Sequence, residues 1–67
     1  MGFKEDVAKI FKKARMKQGF TQEEVAEKAK VHVNYYARIE RGEPSARGDV
    51  LDRIARALGV KIKLPLD

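Results

Sequence analysis

Residues 20–42, FTQEEVAEKAKVHVNYYARIERG, constrain this chain more than any other stretch. Thr21 suits a helix N-cap, and Glu24 three residues later completes a capping box. The Thr hydroxyl and the Glu carboxylate then each satisfy one free N–H of the first turn. Phe20 before the cap and Val25 at the fourth helical position are spaced for a hydrophobic staple. Glu23 and Glu24 complement the positive helix end. A helix over 22–29 is therefore expected, short, with only Val25, Ala26 and Ala29 able to face inward. A second helix over roughly 32–41 follows after barely a turn, ended by Gly42 with Pro44 just beyond.

Amphipathic helices flank this pair. Phe3, Val7, Ile10, Phe11 and Ala14 lie on one face of a helix over 3–17, with Lys4, Glu5, Lys9, Lys12 and Lys13 off the stripe and Gly19 at the stop. Residues 43–48, EPSARG, read as a loop. A fourth helix over 49–58 carries Val50, Leu51, Ile54, Ala55 and Leu58 inward, has Asp49 in its first turn and ends at Gly59. In the tail, VKIKLPLD, the apolar residues Val60, Ile62 and Leu64 alternate with Lys61 and Lys63. That period of two predicts a short strand closed by Pro65. The fold class is all-α, four to five helices in one compact domain over 1–67, with this C-terminal strand added.

Sixty-seven residues make one domain. The chain has no cysteine and one histidine, so disulfides, thiolate sites and an all-imidazole metal centre are excluded, and no metal or cofactor is expected. No apolar run approaches the ~18 residues of a membrane span, and no signal peptide is visible, so a cytoplasmic location is expected. The net charge of +5 favours a polyanionic partner. Its distribution tempers that: residues 1–20 carry six positive and two negative charges, residues 21–30 two and three. A Lys-rich first helix is by itself more often a solvated surface than a binding face. Glu23, Glu24 and Glu27 form the only tight acid cluster, and a helix N-terminus explains them. With no nucleophile–base set, glycine-rich phosphate loop or cofactor motif, an enzyme is the poorest fit. RNA binding lacks an aromatic platform on a sheet.

Two short helices joined by a tight turn among amphipathic neighbours is helix-turn-helix architecture. TQEEVAEKAKVHVNYYARIERGE resembles the helix-turn-helix of the Cro and phage-repressor type, the xenobiotic-response-element family. The matching pieces are Thr21-Gln22-Glu23-Glu24, Val25-Ala26, Val31, and Tyr36 through Arg38-Ile39-Glu40-Arg41-Gly42, and DVLDRIARALGV matches the family's fourth helix. The resemblance spans roughly residues 7–60, with the motif at about 21–42. It implies that the helix over 32–41 lies in the major groove of double-stranded DNA, with the first helix of the motif crossing the backbone.

The resemblance also distributes roles. Gln22 matches a phosphate-contacting glutamine, and Arg41 a phosphate-contacting polar residue. Tyr36 and Ile39 are expected inward, with Val31 anchoring the turn. Val33, Asn34, Ala37, Arg38 and Arg41 are then outward: Asn34 suits adenine, Arg38 guanine or phosphate, and Val33 and Ala37 a thymine methyl. Tyr35 falls between the faces, facing phosphate or solvent. Ser45 and Arg47 in the loop face phosphate or are solvated. Arg38 and Arg41 pairing with nearby acids is the plainer alternative. Arg15 and Glu40 occupy positions that pair as an ion bridge in the family.

Three positions depart from the family pattern. Lys30 stands where Gly is usual and must adopt a left-handed backbone or distort the turn. His32 replaces a hydroxyl N-cap, its ring serving as a weaker cap or meeting phosphate. Val33 replaces a frequent base-reading Gln. The expected function is sequence-specific DNA binding by a transcriptional regulator, a repressor acting as a homodimer on a near-palindromic operator. Helix 4 and the tail would form the dimer, with Val60, Ile62 and Leu64 pairing across it as strands. The alternative is an antitoxin that binds a toxin protein and represses its own operon.

Overall fold

The computed structural model describes residues 3–43 and 47–61, with side chains from Asp6 onward. Four helices follow one another: α1 (Phe3–Gln18), α2 (Gln22–Ala29), α3 (Val33–Glu40) and α4 (Gly48–Leu58). α4 packs against α2 and α1, and α3 packs against the same two helices from another side. Among the described residues there is no strand.

The core is drawn from all four helices. Val7 and Phe11 of α1, Val25, Ala26 and Ala29 of α2, and Tyr36 and Ile39 of α3 meet Val50, Leu51, Ile54, Ala55 and Leu58 of α4. Each set falls on one helical stripe, so burying it removes the apolar face of each helix from water at ~25 cal/mol per Å². α1 departs from the expected stripe: Ile10 is 41% exposed and Ala8 is buried in its stead. Ile10 shares its flank with Asp6, Lys13 and Lys17, all exposed, while α1 is tied to α3 through Arg15 and to α4 through Gln18. Rotation toward those ties turns Ile10 out and Ala8 in.

The termini are closed by hydrogen bonds that the sequence signals. Thr21 Oγ1 accepts from the Glu24 N–H at 3.1 Å and the Thr21 N–H donates to Glu24 Oε1 at 2.8 Å, the reciprocal capping box. Phe20 packs against the core, with the Lys28 ammonium 5.0 Å from its ring centre. Every helix ends by the same six-residue closure. The N–H of Phe20, Val31, Glu43 and Val60 bonds the carbonyl of Arg15, Ala26, Arg38 and Ala55 in turn. This closure needs a left-handed residue, and at α2 that residue is Lys30, with φ +60°. The departure from glycine is thus met by backbone strain in an undistorted turn.

The last closure bears on the expected dimer strand. Val60 is half-buried, packs against the core and uses its N–H within the domain. It is therefore not the exposed strand residue the alternation suggested, because the Gly59 turn folds it back onto the helices. Ile62 and Leu64 lie outside the described residues, as do Ser45 and the side chain of Phe3, which was expected inward.

Candidate nucleic-acid interface

The helix-turn-helix is α2, the turn Lys30–His32, and α3. Four groups fix how α3 is held. Arg15 Nε donates to Glu40 Oε2 at 2.7 Å and Arg15 Nη2 to Glu40 Oε1 at 3.2 Å, a side-by-side pair. Gln22 Nε2 donates to Glu40 Oε1 at 3.0 Å, and Arg15 Nη1 to the Phe20 carbonyl at 3.0 Å. One carboxylate at the end of α3 therefore joins α1 and α2, and Arg15 carries the tie on to the loop between them. The Glu40 side chain is only 4% exposed. Burial alone would raise its pKa, but the Arg15 guanidinium, the neighbouring Tyr36 hydroxyl and the Gln22 amide outweigh it and hold the carboxyl below its ordinary value. The bond to Glu40 in turn raises the Arg15 pKa.

Tyr36 is fully buried beside this cluster, and its hydroxyl has no hydrogen-bond partner of full geometry. Burial, with the Glu40 charge close by, pushes the phenol pKa well above its ordinary value, so it stays neutral.

At the start of α3, His32 is the N-cap. Its Nδ1 accepts from the Asn34 N–H at 3.1 Å, which requires the tautomer protonated at Nε2. The ring stands in for the hydroxyl that the family pattern has there, with Nδ1 turned to the helix and the residue itself exposed.

The expected reading face divides in two. Asn34, Arg38 and Arg41 are exposed, as their helical positions require. Val33, expected outward, is half-buried and packs on the core edge, as does Tyr35. Ala37 is half-buried. Gln22, matched to a phosphate contact, is half-buried and engaged with Glu40 through its amide nitrogen.

Nearby acids do pair with the arginines. Arg38 Nε donates to Glu43 Oε1 at 3.0 Å and Arg41 Nε to Glu43 Oε2 at 3.2 Å. These hydrogen bonds hold the Glu43 carboxyl below its ordinary pKa. Arg47 meets Asp49 through two contacts, at 3.2 and 3.1 Å, which raises the Arg47 pKa and lowers that of Asp49. Tyr35 lies close enough to Arg47 to act on it electrostatically. Glu43 and Gln18 are residues that sequence reasoning passed over. Gln18 Nε2 donates to the Leu58 carbonyl at 2.7 Å, locking α1 to the end of α4. The signal for Glu43 was its place one residue after Gly42, where the helix closure turns the chain back. For Gln18 there was none, since a contact forty residues away leaves no local pattern.

Eight further cations form two other basic surfaces. Lys9, Lys12, Lys13 and Lys17 surround Met16 on α1, and Lys28, Lys30, Arg53 and Arg56 line a shallow groove between α2 and α4. No group of three metal-ligating side chains occurs among the described residues, and none of their helices is long and apolar enough to cross a membrane.

A sequence profile of the helix-turn-helix family matches residues 11–64. The chain is 35% identical over 63 residues to the transcriptional regulator ClgR of Mycobacterium tuberculosis strain H37Rv, covering 94% of this chain and 56% of that protein. It is 43% identical over 51 residues to the uncharacterized HTH-type transcriptional regulator YqaF of Bacillus subtilis strain 168, covering 76% of this chain and 67% of that protein. The chain thus spans little more than half the length of ClgR. No solved structure matches it significantly.

Proposed function

The chain belongs to the helix-turn-helix family, and on that premise we propose that it is a sequence-specific, double-stranded-DNA-binding transcriptional regulator. The observation that carries this reading is the division of α3. Tyr36 and Ile39 are buried, while Asn34, Arg38 and Arg41 stand exposed on a helix braced by Glu40. A major groove about 12 Å wide admits such a helix, and these three side chains carry the donors and acceptors that distinguish base edges or grip phosphate. Both named relatives are titled transcriptional regulators.

In this reading Asn34 and Arg38 meet bases, Arg41 and Arg47 meet phosphate, and Gln22 presents the amide edge not used by Glu40 to the backbone. Because one helix of eight residues offers few base contacts, the protein acts as a homodimer on two inverted half-sites, as a repressor in the cytoplasm. The dimer forms through α4 and the residues beyond it.

Selection of bound duplexes from a random pool, repeated across salt, tests the proposal. A recurring site built of two inverted halves is expected. Binding indifferent to sequence and abolished by moderate salt would sink it. Arg38→Ala should relax preference at one base position, and Gln22→Ala should weaken all duplexes alike. Identical profiles for the two variants would refute the division of roles. Sedimentation of the chain lacking residues 61–67 tests the tail: a shift toward monomer is expected, and an unchanged dimer retires it.

A further inference from the structure

A helix that meets DNA through two arginines needs their guanidiniums aimed before contact, since long side chains otherwise sample many rotamers. Glu43 is built to do this. Each of its carboxylate oxygens takes one arginine, Arg38 at 3.0 Å and Arg41 at 3.2 Å, and each contact is made through Nε. The Glu43 contact thus leaves aside the terminal Nη1/Nη2 edge, which meets guanine O6 and N7 or two phosphate oxygens as a pair.

The carboxylate is itself placed by the main chain. Gly42, at φ +82°, reverses the chain after α3; its N–H bonds the Ile39 carbonyl at 2.9 Å, and the Glu43 N–H bonds the Arg38 carbonyl at 3.2 Å. Glu43 is therefore tied by its backbone to the residue whose side chain its carboxylate holds. The Glu43 carboxyl, held below its ordinary pKa by its bonds to Arg38 and Arg41, is charged at neutral pH. Arg38 and Arg41 remain 52% and 61% exposed within it. Exposed ion pairs contribute little to folding, so fold stability does not account for the arrangement.

We propose that Glu43 is a specificity-determining positioning residue, which holds Arg38 and Arg41 as an aimed pair and keeps them from being drawn indiscriminately to backbone phosphate. The inference rests on the DNA-binding reading and adds to it a residue that itself contacts neither base nor phosphate. A carboxylate here also repels the phosphates flanking any site, so a duplex is held only where base contacts compensate.

The test compares the full chain with its Glu43→Gln variant on the selected duplex and on a scrambled one, across salt, with thermal unfolding recorded in parallel. The ratio of scrambled to selected Kd should fall on the order of tenfold. Binding to the scrambled duplex should strengthen, with a slope of log K against log salt steeper by about one to two. Tm should be unchanged. Glu43→Asp, one methylene short of spanning both arginines, should fall between the two. An unchanged ratio overturns the proposal, including a uniform gain on both duplexes, which would make Glu43 a repelling charge and nothing more. Loss of discrimination that tracks a lower Tm in both variants overturns it as well. If the unaltered chain selects no site, the DNA-binding reading falls and the fork with it. If that chain selects a site and Glu43→Gln selects it equally well, the fork alone falls.

Discussion

Arg15 on α1 and Glu40 at the last position of α3 lie edge to edge, two donors on two oxygens at 2.7 and 3.2 Å. Removing one partner strands the other charge where water reaches it poorly. Arg15→Ala or Glu40→Ala is therefore expected to destabilise the domain by about 2–3 kcal/mol, somewhat less than a fully buried pair would. Replacing both, as Arg15→Met with Glu40→Leu, should cost less than either alanine variant. Urea denaturation of the three proteins checks this, and a double variant less stable than either alanine variant would show that the loss does not come from a stranded charge.

The same carboxylate predicts an acid limb. Its folded pKa lies below the ordinary 4.5, so its contribution is fully present above that value and is lost as pH falls through the lower folded value. Stability should decline below about pH 4.5, and the decline should be shallower in Glu40→Gln. Midpoints of urea unfolding between pH 3 and 7, a range of about four units around that window, provide the measurement. Parallel curves for the two proteins would place the acid limb on other groups.

Tyr36 carries a buried hydroxyl without a well-formed hydrogen bond. Such a group is expensive to bury and gives little back, so Tyr36→Phe should change stability by less than about 1 kcal/mol, toward stabilisation. A loss above about 2 kcal/mol would mean that the hydroxyl is firmly bonded to Glu40 or Arg15.

Lys30 holds a left-handed backbone at φ +60°. Glycine relieves the Cβ clash but adds freedom to the unfolded chain, so the net gain for Lys30→Gly is about 0.5–1 kcal/mol. Thermal unfolding should shift upward by about 2–8 °C in a domain of this size. A lower Tm would show that the lysine side chain contributes more than its backbone strain removes.

His32 caps α3 through Nδ1. Replacement by Ala should cost about 1 kcal/mol, and replacement by Ser should restore most of it. If Ser is no better than Ala, the ring matters for reasons other than capping. Circular dichroism melts distinguish the two outcomes.

Much of this architecture was legible because its signals are local. Thr21 and Glu24, Gly19, Gly42 and Gly59, and the 3.6-residue stripe of α4 each act within a few residues of themselves. The left-handed Lys30 was readable for the same reason, since the closure it completes is set by the two helices on either side. What escaped depends on packing direction. Whether Ile10 or Ala8 of α1 turned inward was decided by ties to α3 and α4 that no local pattern carries. Val33 and Val60 read as exposed because alternation and helical phase ignore the turn beneath them. The opposed acids were the largest omission in the site. Glu43 looked like loop punctuation until the chain reversal at Gly42 brought it onto Arg38 and Arg41, and Asp49 read only as a first-turn charge although it also meets Arg47.

The separation of inward and outward residues on α3 also bears on how such a protein changes over generations. Asn34, Arg38 and Arg41 contribute nothing to the core, so a lineage can rewrite them, and on the proposed reading the address the protein seeks, without approaching the threshold at which it unfolds. Val33 and Tyr35, half-buried and turned to both sides, do not share that freedom. At those two positions a new address would be tried at the expense of the scaffold that carries it, so divergence between sister regulators should concentrate at the first three and stall at the other two.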